Sequence, residues 1–419
     1  MNQETGMGIL RSAGVMGIAT FFSRILGLIR EQAFAFLFGA THAMDAFNIA
    51  FRIPNLLRDL FAEGAMSTAL VPVFTQVKTK EGEQRAWRIA SLVIKLLVVL
   101  TCVLALLGIV FSKDLVWLYA SAYQKIPGKF ELTVQMTQVI FPFFPLIVLA
   151  AAFMGSLNAC GYFFIPAFAP ALFNLTSLLV GVPLVMIFNK INLPPILGMA
   201  IGVLVGGFVQ AFSQLPSLLK AGYRVSTKTD QDLVWYQEPA LKKMLLLMLP
   251  GMVGLAATQV NFLINSILAT SQEAGAVSWL NYAFRLMQFP IGIFGVSLAL
   301  ASLPLISQEW VNENFSNVSQ TVDQTLKRVF AINLPCSMAF IFLSYPIVEL
   351  IYQYGMFSAD STRHTAYALC AYSVGLTAYS CVKTLVPVFY AMGNTRYPVI
   401  SSVLSVVLTI IFNLLMIRA

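Results

Sequence analysis

Four arginines, Arg24, Arg30, Arg58 and Arg285, stand inside stretches that are otherwise apolar enough to live in lipid. Counted from the start of its own stretch, Arg24 lies about 13 residues in, or ~20 Å at 1.5 Å per residue, too deep to reach back to the nearer surface. An arginine at mid-membrane costs about 2.5–3.5 kcal/mol on insertion scales, so such a side chain faces a watered cavity or a partner. The stretches around Arg24, Arg30 and Arg285 hold few or no acids to neutralise them. Guanidinium groups stay charged and grip phosphate oxygens in bidentate fashion, so the simplest ligand is a phosphate-bearing anion held near the middle of the bilayer.

A second group of charges lies in "DAFNIAFRIPNLLRDLFAEG", residues 45–64. On an ideal helix Asp45, Arg52, Asp59 and Glu63 fall within about 40° of one another, while Arg58 points roughly 100° away from Asp59. These residues can serve a gate, or they can pair, Arg52 with Asp45 or Asp59, and lock the helices together. Pro54 removes a backbone donor and is expected to kink this helix. Arg24 and Arg30 point about 120° apart, so their cavity is broad or Gly27 bends the helix between them. Lys383 is one more cation inside a span, with a structural or a functional role.

The elements that must position these residues are membrane helices. The chain has 419 residues, is 58% hydrophobic and only 11% charged, with a mean hydropathy of +0.79. Soluble domains carry about 25% charged residues, so the composition is that of a polytopic membrane protein. Apolar windows of the ~20 residues needed to cross a bilayer recur along the whole chain. Eleven spans are expected, near 11–38, 44–76, 89–111, 132–157, 165–188, 194–219, 244–270, 275–307, 325–345, 361–392 and 397–417. The short loops on one side collect Lys78, Lys80, Arg85, Arg88, Lys220, Arg224, Lys228, Lys242, Lys243, Lys327, Arg328 and Arg396, which puts the N-terminus in the cytoplasm.

Several functions are excluded. The net charge of +8 is spread between and within spans, with no basic tail or aromatic-interleaved patch, so nucleic acid is not a partner. Two histidines and five scattered cysteines give no metal-ligand spacing, and no cofactor is expected. "GMAIGVLVGG" (198–207) has no following Lys-Ser/Thr and reads as helix packing, not a phosphate loop. No Ser/His/Asp set or acid–base carboxylate pair is present, which argues against an enzyme such as an intramembrane glycosyltransferase.

The chain also repeats itself. "VPVFTQ" at 71–76 returns as "LPLISQ" at 303–308, "ACGYFFIP" at 159–166 as "AMGNTRYP" at 391–398, and "AFR" at 50–52 as 283–285. The nearly equal displacements argue for a duplicated six-helix unit of the parallel-repeat transporter type. The expected architecture is all-α, with two parallel-repeat bundles around a central cavity: residues 1–225, a cytoplasmic linker at 226–243 with Trp235 and Tyr236 at headgroup level, and residues 244–419. The partner of the span near 194–219 would fall beyond Ala419, so the second bundle reads as incomplete.

"FFSRILGLIRE", "DAFNIAFRIPNLLRDLFAEGAMSTALVPVF", "IPAFAPALFNL", "AVSWLNYAFRLMQFPIGIFGVSLALASLPLIS" and "AYSVGLTAYSCVKTLVPVFY" resemble the MurJ/MviN lipid II flippases, members of the multidrug/oligosaccharidyl-lipid/polysaccharide exporter superfamily. The resemblance runs over essentially the whole chain. It implies transport of the undecaprenyl-pyrophosphate-linked peptidoglycan precursor across a bacterial plasma membrane by alternating access, with membrane lipids and cell-wall synthesis proteins as further partners. By motif position it implies that Arg24, Arg30, Arg58 and Arg285 meet the pyrophosphate and that Asp45 lies near the periplasmic gate. Two positions depart from the family pattern: Phe284 and Gln288 stand where acids usually flank Arg285. With few acids in the second half, movement of the cationic cavity is expected to respond to membrane potential. The competing readings are export of another lipid-linked oligosaccharide, export of a cationic drug, which the arginine excess disfavours, and a non-transporting scaffold.

Overall fold

The computed structural model describes residues 3–61, 70–223, 238–394 and 396–417. Glu63, Trp235, Tyr236 and most of the polar linker lie outside the described residues. Among those described, the chain forms helices and no strand. Among the described residues, eight helical segments are long and apolar enough to cross a membrane, including Glu83–Val110, Lys129–Ala159, Phe164–Lys190 and Ala359–Ala391. The chain is a multi-pass membrane protein. Its exposed apolar side chains, such as Val99, Leu106 and Val110, sit where lipid tails would meet them.

The chain divides into two compact units, residues 1–30 with 46–271, and residues 31–45 with 272–419. The boundary cuts through both of the first two helices, α1 (Gln3–Phe38) and α2 (His42–Arg58). The helix at 239–270, which the repeat places at the head of the second bundle, is grouped with the first unit. Its packing partners supply the reason, because it lies against the short helix at 112–120 and the helices at 71–81 and 83–110.

In unit 1 the remaining helices are α3 (Val71–Glu81), α4 (Glu83–Val110), α5 (Ser112–Ala120), α6 (Lys129–Ile140), α7 (Phe143–Ala159), α8 (Phe164–Lys190), α9 (Ile196–Phe212), α10 (Leu215–Lys220) and α11 (Pro239–Thr270). The single span expected at 132–157 is two helices, α6 and α7, because Pro142 has no N–H to continue the ladder. One end of the unit closes over an aromatic core in which Trp87 meets Phe74 at 4.9 Å and Tyr223 at 5.8 Å. In α9, Gly198, Gly202 and Gly206 lie directly on the backbone of α8; a Cβ on Gly202 would sit 2.5 Å from the carbonyl oxygen of Ser177. The glycine-rich stretch is thus a helix-packing face.

Unit 2 holds α12 (Ala276–Pro290), a π-helical turn (Ile291–Val296), α13 (Ser297–Val311), α14 (Phe315–Phe342), α15 (Ser344–Tyr352), α16 (Ala359–Ala391) and α17 (Arg396–Ile417). The duplication is written in its helix boundaries. Helices α4 and α14 are both 28 residues long and begin 232 residues apart. The nine-residue α5 and α15 keep the same spacing. Gly161 and Gly393, also 232 apart, both take positive φ (83° and 71°) where a helix ends and the chain turns into the next. Sequence reading passed over α5 and α15, since nine residues are too few for a span.

Candidate functional site

Arg24 and Arg30 are carried by α1 on the part that belongs to unit 1. Arg24 is half-buried, and Arg30 is buried with its guanidinium 5.2 Å from the centre of the Phe173 ring. The neighbouring Asn174 of α8 donates to the carbonyl oxygen of Ser23 at 3.2 Å. A Cβ at Gly27 would stand 3.4 Å from Nδ2 of Asn174, close to ordinary van der Waals contact. Helix α1 runs unbroken through Gly27, from Gln3 to Phe38.

Charges of α2 meet partners on α11. Arg52 lies over the ring of Phe262 of α11, 3.9 Å from its centre. Arg58 donates to Asp59, its immediate neighbour, and the other carboxylate oxygen of Asp59 accepts from Gln259 of α11 at 3.1 Å. An ideal helix would hold Arg58 and Asp59 apart, but α2 ends at Arg58 and the chain widens into a π-helical turn from Asp59. Asp59 is therefore engaged by Arg58 and Gln259.

Asp45, on the part of α2 that belongs to unit 2, is buried and holds the N-terminus of α12. It accepts from the backbone N–H of Gly275 at 2.8 Å, the N–H of Ser278 at 3.0 Å and the Ser278 hydroxyl at 2.7 Å. The first N–H groups of a helix have no partners within it, and the helix dipole favours a negative charge there. A carboxylate from another helix thus does the work of a cap. The α1–α2 turn is held in the same unit by Tyr282, whose hydroxyl donates to the carbonyl oxygen of Gly39 at 3.2 Å, and by the N–H of Met356, which donates to the carbonyl oxygen of Phe36 at 2.9 Å.

Arg285 is more constrained than the sequence suggested. Its Nε lies 3.5 Å from Glu31, a buried carboxylate two turns before the end of α1 and a member of the same unit. Phe284 turns edge-on to Tyr372 of α16 at 5.9 Å, and Gln288 is half-buried one turn beyond Arg285. Lys383 is exposed, its ammonium 5.5 Å from the Tyr379 ring. Sequence reasoning missed Glu31, Gln259 and Ser278. Glu31 had a signal, being the one acid in the first expected span. Gln259 and Ser278 had none, because neutral polar residues are ordinary in membrane helices. Among the described residues no group of His, Cys, Asp and Glu could hold a metal ion.

Chemically, unit 1 presents guanidinium groups of two helices beside aromatic and amide partners, and unit 2 presents a guanidinium beside a buried carboxylate. The described helices, in this order, form a fold that solved membrane transporters share. An inward-facing MATE family transporter of the MOP superfamily superposes with a TM-score of 0.71 over 91% of this chain and 88% of that one, at 14% identity, which is likeness of fold alone. The family model described as "Lipid II flippase MurJ" matches residues 34–419, and the chain belongs to that family. It is 32% identical over 413 residues to the "Probable lipid II flippase MurJ" of Vibrio cholerae, covering 97% of this chain and 77% of that protein. It is 35% identical over 393 residues to the "Lipid II flippase MurJ" of Burkholderia cenocepacia, covering 94% of this chain and 75% of that protein. A solved structure titled "Lipid II flippase MurJ, inward closed conformation" matches with a TM-score of 0.78 at 30% identity, over 94% of this chain and 79% of that one.

Proposed function

We propose that this chain moves lipid II, the undecaprenyl-pyrophosphate-linked peptidoglycan precursor, across the bacterial plasma membrane by alternating access, with its N-terminus in the cytoplasm. Family membership supports the substrate, and one observation on the residues supports its mode of binding. In residues 17–30 and 46–61, which are helical and mostly apolar, four arginines stand with a single acid, Asp59. Arg24, Arg30, Arg58 and Arg285 contact the pyrophosphate, whose oxygens accept paired N–H donors that no neutral headgroup would engage. Arg52, Asp59, Glu63 and Gln288 shape or gate that site, and Lys383 stands aside from it. Asp45 closes the periplasmic side through its hold on α12. Cell-wall synthesis proteins supply and consume the lipid on the two faces of the membrane.

The test is transport in proteoliposomes of a lipid II analogue carrying a fluorophore that an impermeant reductant bleaches only in the outer leaflet. Arg24→Ala, Arg30→Ala and Arg285→Ala, each folded by circular dichroism, are expected to lower the bleaching rate by about 100-fold, as loss of a charge-assisted phosphate contact should. Wild-type rates in all three would overturn the reading and leave a scaffold.

A further inference from the structure

We propose that unit 2 contains a buried water-binding site, in the seam where α14, α16 and the π-helical turn meet, built from Asn333 and Ser380. Both side chains are fully buried. Asn333 donates from Nδ2 to the carbonyl oxygen of Val329 at 2.9 Å, which fixes its amide and leaves Oδ1 as an acceptor with no protein donor. Ser380 Oγ likewise has no protein partner.

Helical geometry brings the two groups to one seam. Ser337 of α14 and Thr377 of α16 share a hydrogen bond of 3.0 Å. Asn333 lies one turn from Ser337 and Ser380 one turn from Thr377, each on the joined face of its helix. The π-helical turn closes the third side. A Cβ on Gly295 would sit 3.3 Å from Cβ of Ser380, and the Thr384 hydroxyl is shared between the carbonyl oxygens of Ser380 (2.9 Å) and Gly295 (3.4 Å).

The ligand must donate to an amide oxygen and pair with a hydroxyl, inside a protein core. Water does both. A bare cation would need a carboxylate to repay its lost hydration. The acids on α14 and α16, Asp323 and Asp360, are more than half exposed and engaged with Lys327 and Arg363. Nor does the fold itself require polarity here. The positions 232 residues earlier hold Val148 and Ala152, and Thr101, whose hydroxyl is satisfied by the carbonyl oxygen of Leu97 at 2.7 Å. Unit 2 keeps at this place two unsatisfied polar groups where unit 1 has hydrocarbon and one self-satisfied hydroxyl.

Radiolytic hydroxyl-radical labelling of the protein in nanodiscs tests this, because a bound water yields radicals where bulk solvent cannot reach. Leu376, buried one turn from Ser380, is expected to label about tenfold faster than Phe144, its buried counterpart 232 residues earlier, although phenylalanine reacts at least as readily. Asn333→Leu with Ser380→Ala should bring Leu376 down to the rate of Phe144. Ser380→Ala alone, a smaller change with folding checked by thermal melting, should lower it part of the way. Slow labelling of Leu376 in the wild type, or labelling indifferent to these substitutions, would overturn the proposal. So would labelling that changes when sodium is replaced by choline, which would assign the site to a cation.

Discussion

Units 1 and 2 share helix lengths, order and turns at a constant offset, yet they spend their polar residues differently. Unit 1 keeps an apolar and aromatic core, around Trp87, Phe74 and Phe153, and puts its charge into arginines on α1 and α2. Unit 2 has Arg285 held by Glu31, a buried carboxylate capping α12, and a row of buried hydroxyls along α16: Ser361, Thr365, Ser373, Thr377, Ser380 and Thr384. The difference teaches that duplication preserves what the bilayer demands, namely helix length and satisfied backbone, while the interior side chains are released to diverge.

That comparison can be broken most forcefully at Asp45. Asp45→Ala strands two backbone donors at the head of α12 and is expected to cost about 3 kcal/mol, read by pulse proteolysis in micelles. Asp45→Asn keeps an acceptor and should lose about half as much. A stable Asp45→Ala protein would mean that the contact is incidental. In unit 1 the corresponding weak point is packing. Gly202→Ala forces a methyl against the α8 backbone and should cost about 1–3 kcal/mol by the same measurement, with no gain recovered elsewhere. The smallest effect on stability belongs to Glu31→Gln. Arg285 is two-fifths exposed, so losing the pair should cost only about 1 kcal/mol. Transport should change more than stability, because Arg285 would then orient differently toward the headgroup. A transport rate unchanged by Glu31→Gln would show that Arg285 acts without its carboxylate.

Much of the fold was legible in the sequence because membrane helices announce themselves locally. Each of the eleven expected spans coincides with described helix over most of its length, and the 232-residue echo between short motifs reappears as matched helix ends. What escaped was set by contacts distant in the chain. The break at Pro142 was visible as a residue but not as a division between α6 and α7, since proline is tolerated inside other helices here, as at Pro170 and Pro183. The short α5 and α15 carry no span-length signal. At the site, the presence of deep arginines was readable, and so was their excess over acids. Their partners were not. Arg52 on Phe262, Asp59 with Gln259 and Arg285 with Glu31 join residues up to about two hundred and fifty positions apart, which helical angle cannot foresee.

Sequence alone determined that this chain lives in a membrane, that it is helical and duplicated, and that its first helices carry more guanidinium than carboxylate groups. Those properties follow from composition and period, which each segment carries within itself. Only the tertiary structure decided that Asp45 caps a helix 230 residues away, that Gly202 serves close approach, and that Glu31 stands beside Arg285. The physical reason is that a side chain's partner is chosen by packing between helices, and no local pattern records which helices will meet.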